Sequence, residues 1–171
     1  MGVAFYSIIE YKQHDRYVAF GEVDIPRGGK LLPAIVFGNG GMKDKMLYPP
    51  RGMPSDISPK VLDLFFTDVA TVEEYLENFK YDDEDEPTVE EYVEDNGEWA
   101  VEIYKTIGLL PEPELYDSGW LTYNELQKVL LHEKISIKDL SSVSQAAFAT
   151  MESLAQDFGA ENVRLVFWCG M

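Results

Sequence analysis

The sequence predicts an α+β fold, in which an antiparallel sheet packs against several helices within a single domain of residues 1–171. Three observations favour this class. Segments rich in aromatic and β-branched residues stand near both ends of the chain, as strands require. Capped amphipathic segments fill the middle. A chain of 171 residues with 46% hydrophobic content can bury one core of ordinary size.

The N-terminal third is predicted to be an antiparallel meander. Residues 3–11 are aromatic and β-branched and show no polar face at helical spacing, which indicates a strand. Residues 16–25 form a second strand-like segment, which ends at a proline–glycine turn. Residues 31–37 are a third apolar run and stop at glycines where a positive φ costs little. We expect these three segments to pair in order.

The predicted helices begin at capping residues. Ser58 precedes Pro59, which places an N-cap hydroxyl before a proline at the first helical position. Three further starts match the capping box, in which a hydroxyl and a carboxylate three residues later satisfy each other's backbone donors. These pairs are Thr71 with Glu74, Thr88 with Glu91, and Thr122 with Glu125. The last pair predicts a helix that reaches about His132.

The C-terminal part is predicted to contain the longest helix and the last strand. Residues 142–158 carry apolar side chains at helical spacing, and Gly159 follows as a stop signal. Residues 163–168 are apolar, apart from Arg164, and strand-like. We expect this final strand to join the N-terminal meander in one sheet.

Negative charge is concentrated in residues 63–102. This segment holds 16 of the 31 acidic residues and one basic residue, Lys80, whereas the remainder of the chain holds 15 acidic and 13 basic residues. Such an imbalance creates a local negative potential that repels nucleic acid and anionic lipid and attracts a basic surface. The charge therefore predicts a basic protein partner and no direct contact with nucleic acid or membrane.

The acidic segment is predicted to be helical rather than disordered. Val72, Tyr75, Leu76 and Phe79 recur at helical spacing, and aromatic residues are frequent, whereas disordered acidic tails lack them. Residues 82–87 are expected to form a mobile loop. The predicted partner-binding residues are Glu73, Glu74, Glu77, Asp82, Asp83, Glu84, Asp85, Glu86, Glu90, Glu91 and Glu94. The alternative is a solvated surface that only keeps the protein soluble.

The chain shows no catalytic motif, no metal-ligand spacing and no cofactor fingerprint. The histidines, His14 and His132, stand apart, and we expect surface roles for both. Cys169 is the single cysteine and is expected to be a buried thiol. Together with the lack of a signal segment or a long apolar run, it predicts a cytoplasmic protein. Arg51 is expected to pair with Asp56 and thereby fix the entry to the first helix.

Four sequence stretches resemble a widespread family of uncharacterised phage and prophage proteins. They are RYVAFG at 16–21, PRGMPSDISPKV at 50–61, GWLTYNEL at 119–126 and NVRLVFW at 162–168. The resemblance implies a mobile-element setting and a compact α+β fold. It transfers no catalytic residue.

Three functional hypotheses remain open at this stage. The first is an acidic binding protein, such as an immunity factor or an anti-defence inhibitor, that docks on a host or toxin nuclease as a monomer or dimer. The second is a small hydrolase or nucleotide-modifying enzyme with a site formed by Arg51, Asp56, His14 and Glu22. The third is a structural phage component. A concave pocket with convergent polar groups would favour the enzyme.

Overall fold

The computed structural model describes residues 2–78 and 87–171 and contains a four-stranded antiparallel sheet and a two-stranded one. The strands are β1 (Ala4–Gln13), β2 (Arg16–Glu22), β3 (Phe66–Asp68), β4 (Leu109–Pro111), β5 (Leu115–Thr122) and β6 (Val163–Gly170). The larger sheet has the order β2-β1-β6-β5, and β3 pairs with β4 in the smaller one. The predicted α+β class is confirmed.

In the two described ranges, six α-helices pack around the sheets. They are α1 (Pro59–Phe65), α2 (Val69–Asn78), α3 (Val89–Asp95), α4 (Glu98–Ile107), α5 (Tyr123–His132) and α6 (Ser142–Phe158). Within the two described ranges, none of the helices has the length and apolar character needed to cross a bilayer.

The larger sheet is covered on both faces, and β6 lies at its centre. All eight residues of β6 are buried, because alternate side chains enter different cores. On one face, Leu165 and Phe167 join the core formed with α5 and α6. On the other face, Val166 and Trp168 pack with α1 and with two residues of α4. The C-terminal strand thus joins the two halves of the hydrophobic interior.

The predicted hairpin is confirmed, whereas the third meander strand is wrong. Strands β1 and β2 are joined at His14 and Asp15, which both have positive φ, as tight hairpin turns often require. The predicted third strand contains a π-helical turn at Pro33–Phe37, with Ala34, Ile35 and Val36 buried. A short run that is apolar on every side has no periodicity that separates a strand from a buried helical turn.

Local capping signals located most helix starts correctly. The Ser58 hydroxyl accepts a hydrogen bond from the backbone N–H of Val61, and the capping boxes at Thr88 and Thr122 are formed. The box predicted at Thr71 is wrong, because α2 already begins at Val69, directly after β3. Pairing of β3 with β4 fixes where the chain enters this helix. Strand β5 was not predicted.

Residues 66–78 and 87–111 form an acidic helical unit between α1 and strand β5 of the larger sheet. Its two ends, β3 and β4, pair with each other, and α2, α3 and α4 lie between them. A small separate core supports these helices, and its buried members are Val72, Val89, Val93, Ala100 and Leu110. The unit is therefore a folded part of the molecule with its own apolar base.

Trp99 attaches this unit to the loop before α1. Its ring lies 6.0 Å from the ring of Phe65, and it contacts both the core under α1 and the core of the acidic unit. Gly52 lies against the same indole with φ of +78°, and a Cβ added there would overlap Trp99. The backbone N–H of Gly52 donates to the Ser118 carbonyl at 2.8 Å. Only glycine fits this close approach.

A buried ion cluster connects the strands to the loop before α1. Arg164 of β6 donates through Nε to Glu10 of β1 at 2.7 Å and through a terminal nitrogen to Asp56 at 2.8 Å. The second oxygen of Glu10 accepts the backbone N–H of Ser58 at 2.7 Å. Arg164 and Glu10 are 2% and 0% exposed. Asp56 therefore pairs with Arg164, and the predicted pairing with Arg51 is wrong.

Replacing Glu10 with glutamine should lower the free energy of unfolding by about 3–5 kcal/mol, because it leaves the Arg164 charge buried and less well neutralised. Glu22→Gln is the matched control, since Glu22 forms an exposed pair with Lys60 at 3.3 Å, and its loss should cost less than about 1 kcal/mol. Denaturant unfolding measures both. Equal losses would contradict a structural role for the buried cluster.

Replacing Gly52 with alanine should destabilise the protein by about 3 kcal/mol, because the new methyl group displaces Trp99 and the positive φ is strained. Gly28→Ala is the control, since a Cβ added at Gly28 meets nothing within 4 Å. Its stability should change by less than about 1 kcal/mol. Thermal unfolding compares the melting temperatures of the two variants, and tryptophan fluorescence reports whether the environment of the Trp99 indole changes. An unshifted melting temperature for the Gly52 variant would disprove the contact.

Candidate functional site

The acidic surface consists of Glu73, Glu74 and Glu77 on α2 and Glu90, Glu91 and Glu94 on α3. All six side chains are exposed. None of them forms an ion pair within the part of the chain that the structure describes. The Glu91 carboxylate accepts the backbone N–H of Thr88 and so caps α3. The predicted residues Asp82, Asp83, Glu84, Asp85 and Glu86, with most of the predicted loop, lie outside the described residues.

Carboxylates from the two helices meet around one depression. Glu73 and Glu77 of α2 and Glu90 of α3 line a hollow of about 390 Å³, together with apolar atoms of Leu76 and Tyr104. Like charges that line one depression give it a negative potential. The fold therefore brings together residues that are distant in the sequence.

A second depression continues the negative charge along α4. Glu94 of α3 lines it together with Glu98 and Glu102 of α4, and Lys105 is the basic residue in its wall. Its volume is about 460 Å³. Glu98 and Glu102 were not among the predicted partner-binding residues, although their i, i+4 spacing places them on one face of a helix.

A cleft of about 550 Å³ opens where β2 ends beside β1, and sequence reasoning did not find it. Its walls combine apolar side chains with three carboxylates, and no basic side chain lines it. The apolar lining is Phe5, Tyr6, Ile8, Val23, Leu64, Leu115 and Trp168. The carboxylates are Glu22, Asp24 and Glu112. Glu22 and Asp24 lie close together in the sequence at the end of β2, whereas Glu112 is distant from both, so no local motif could have indicated all three together.

Hydrogen bonds hold two walls of this cleft in place. The Ser7 hydroxyl donates to the Val23 carbonyl at 2.6 Å, and the Val23 N–H donates to the Ser7 carbonyl at 2.9 Å. On the opposite side, the Glu112 N–H donates to the Phe65 carbonyl at the end of α1 at 2.9 Å. The walls are therefore fixed by the backbone before any ligand binds.

The cleft adjoins the acidic helical unit through the segment after β4. The Tyr92 hydroxyl of α3 donates to the Pro111 carbonyl at 2.9 Å, and Pro111 immediately precedes Glu112 of the cleft. Burial is the main cause that raises the pKa of Tyr92 to about 12, so this phenol stays a donor at neutral pH. This hydrogen bond thus ties α3 to the segment that carries Glu112 of the cleft.

The structure does not bring the predicted enzyme residues together. His14 lies in the turn between β1 and β2, whereas Glu22 lies at the far end of β2, roughly 20 Å away at about 3.3 Å per residue. Asp56 has an exposed side chain and pairs with the buried Arg164. Arg51 instead pairs with Glu125 of α5. These four residues therefore form no common reaction site.

Arg51 serves to hold its loop against α5. Its guanidinium donates two hydrogen bonds to the Glu125 carboxylate, at 3.1 and 2.7 Å, and lies 3.6 Å from the centre of the Trp120 ring. Burial acts to raise the pKa of Glu125, but hydrogen bonds from Arg51 and Thr122 outweigh it, so the pKa is lowered. This bidentate, stacked geometry is typical of a structural arginine.

The remaining titratable candidates do not form a reaction centre. Cys169 is fully buried in β6, and burial is the main cause that raises the pKa of its thiol to about 11, so it is no nucleophile at neutral pH. His132 lies on the surface, 3.1 Å from Glu133. Across residues 2–78 and 87–171, no group of three histidine, cysteine or acidic side chains is placed to hold a metal ion.

Labelling with an aromatic disulfide reagent should test the state of Cys169, which is the chain's single thiol. At about pH 8 the folded protein should react at least about 100-fold more slowly than the unfolded chain, because reaction must wait for opening of the sheet. Fast labelling of the folded protein would indicate an accessible thiolate and contradict the burial.

Comparison with known proteins finds no matching family model, no similar curated protein and no similar solved structure. The resemblance to the phage family therefore stays a prediction, and the function has to be argued from the acidic surface and the cleft.

Proposed function

We propose that this protein binds a basic protein surface through its acidic surface and acts as an inhibitor or immunity factor. The observation that carries the proposal is the exposure of six carboxylates on α2 and α3 without ion-pair partners in the described ranges. Unpaired carboxylates keep their full charge toward an approaching protein, so they steer association and select basic partners.

The rigidity of the surface supports binding rather than mere solubility. The helices are fixed by buried Val72, Val89 and Val93 and by the closure of β3 against β4. Charges on a rigid base need no ordering when a partner docks, which lowers the entropic cost of association.

The class of partner follows from charge. Arginine- and lysine-rich clefts that bind the phosphate backbone of nucleic acid have the complementary potential, because carboxylates can occupy the places of phosphates. A host or toxin nuclease is therefore the proposed target, in the cytoplasm and in a phage or prophage setting. The setting rests on the sequence resemblance and the partner class on charge.

The other functional hypotheses have less support. The enzyme hypothesis needs Arg51, Asp56, His14 and Glu22 in one place, but Arg51 and Asp56 are engaged with other residues. The structural-component hypothesis needs self-association, which a net charge of −17 opposes through repulsion between copies.

Charge neutralisation on the acidic surface should abolish partner capture from host lysate. The variant replaces five of its carboxylates with glutamine and spares Glu91, because that residue caps α3. The substitutions are Glu73→Gln, Glu74→Gln, Glu77→Gln, Glu90→Gln and Glu94→Gln. Wild-type protein should capture a basic protein at about 0.05 M salt and release it at about 0.5 M salt, since the Debye length shortens severalfold.

The matched control removes five exposed carboxylates elsewhere and changes the net charge equally. Its substitutions are Asp15→Asn, Asp44→Asn, Glu152→Gln, Asp157→Asn and Glu161→Gln. Capture by this control should equal that of wild type. If the two variants capture the same proteins as wild type, or if the captured protein is acidic, the proposed function is wrong.

A further inference from the structure

We propose that the cleft beside β1 binds an arginine side chain presented by a basic protein partner. This inference rests on the proposed function and adds a second contact, at which one side chain of that partner is held. The acidic surface supplies long-range attraction, whereas the cleft supplies a partly enclosed place with walls of mixed chemistry.

The aromatic wall matches a planar guanidinium. Tyr6 is 46% exposed, and its ring stacks on the buried Trp168 ring with the centroids 5.7 Å apart. Gly170 permits this wall, because a Cβ there would lie 3.1 Å from both Tyr6 and Leu115. An exposed aromatic face backed by a second ring is a favourable surface for an arginine plane.

The carboxylates at the cleft supply the charge that arginine needs. Asp24 and Glu112 form no ion pair in the described part of the chain, and Glu22 forms only the exposed pair with Lys60. Lys60 compensates part of the Glu22 charge, whereas no basic side chain lines the cleft beside Asp24 and Glu112. Among protein side chains, only a cation complements these groups.

Two arginines of this protein are themselves held by an aromatic ring together with carboxylates. Arg164 lies 3.4 Å from the centre of the Tyr17 ring and donates to Glu10 and Asp56. Arg51 lies 3.6 Å from the centre of the Trp120 ring and donates to Glu125. The cleft presents the aromatic ring and the carboxylates of this arrangement without an arginine of its own.

Arginine is favoured over lysine by geometry. A guanidinium can stack its plane on Tyr6 while its edge donates to carboxylates, whereas an ammonium is a compact, strongly hydrated point charge. A volume of about 550 Å³ lies within the usual range of ligand pockets, and it accommodates one long side chain with the adjoining backbone.

Titration of the full-length protein with a blocked Gly-Arg-Gly tripeptide tests this inference. Chemical-shift changes in an NMR spectrum should map to Tyr6, Leu115 and Glu112. The citrulline peptide has the same shape without the charge, and its binding should be at least about tenfold weaker. The lysine peptide should bind more weakly than the arginine peptide. Equal binding of the citrulline peptide, or equally tight binding of free guanidinium, would overturn the proposal.

Variants separate the cleft from the acidic surface. Glu112→Gln, Asp24→Asn and Tyr6→Leu should each weaken the arginine peptide, by about tenfold for the two charge changes. Asp157→Asn is the control, because Asp157 is exposed on α6 and lines neither the cleft nor the depressions of the acidic helices, and it should leave binding unchanged. Unfolding curves identify any variant that fails to fold. Equal weakening by Asp157→Asn would overturn the assignment to the cleft.

The two proposals fail in different ways. If the peptide shifts only residues of α2 and α3, the cleft assignment is wrong while capture through the acidic surface stands. If the peptide binds the cleft and the five-carboxylate variant still captures the same protein as wild type, the cleft assignment stands and the proposed function is wrong.

Discussion

The fold depends on one buried charge, the guanidinium of Arg164. A cation that is 2% exposed has lost most of its hydration, so it is tolerated only because Glu10 and Asp56 surround it with short hydrogen bonds. These partners come from β1 and from the loop before α1. Because Glu10 also accepts the N–H of Ser58, the N-cap of α1, the cluster fixes where α1 starts on the sheet.

Stacking of arginines on aromatic rings connects the Arg164 cluster to both edges of the larger sheet. The Arg164 plane lies over Tyr17 of β2, and Trp120 of β5 lies 5.5 Å from Arg164 and 3.6 Å from Arg51. Strands β2 and β5 are the two edges of the larger sheet, so the stack crosses its full width. Cation–π contacts of this kind stabilise each pair modestly, by about 0.5–2 kcal/mol, but together they orient the loop that ends at α1.

The position of the acidic helices also depends on the Arg164 cluster, because that cluster fixes the start of α1. Helix α1 leads directly into β3, whose pairing with β4 closes the acidic helical unit, and Trp99 joins that unit to the core beneath α1. The carboxylates of α2 and α3 are therefore displayed at a fixed place relative to the cleft. A partner with basic groups at two separated places can engage both, and such paired contacts raise the selectivity of binding.

The sequence by itself determined the features that depend on neighbouring residues. Hydroxyl and carboxylate caps set the starts of α1, α3 and α5. Runs of β-branched and aromatic residues specified β1 and β6, and the clustered acidic residues predicted a negative surface. Tertiary structure alone decided the rest. Arg164 pairs with Asp56, which lies 108 positions away in the sequence, and Glu112 lines the same cleft as Glu22. The apolar segment around Ile35 forms a buried helical turn. Local rules act within about one helical turn, whereas these outcomes depend on which surfaces the packed strands bring together.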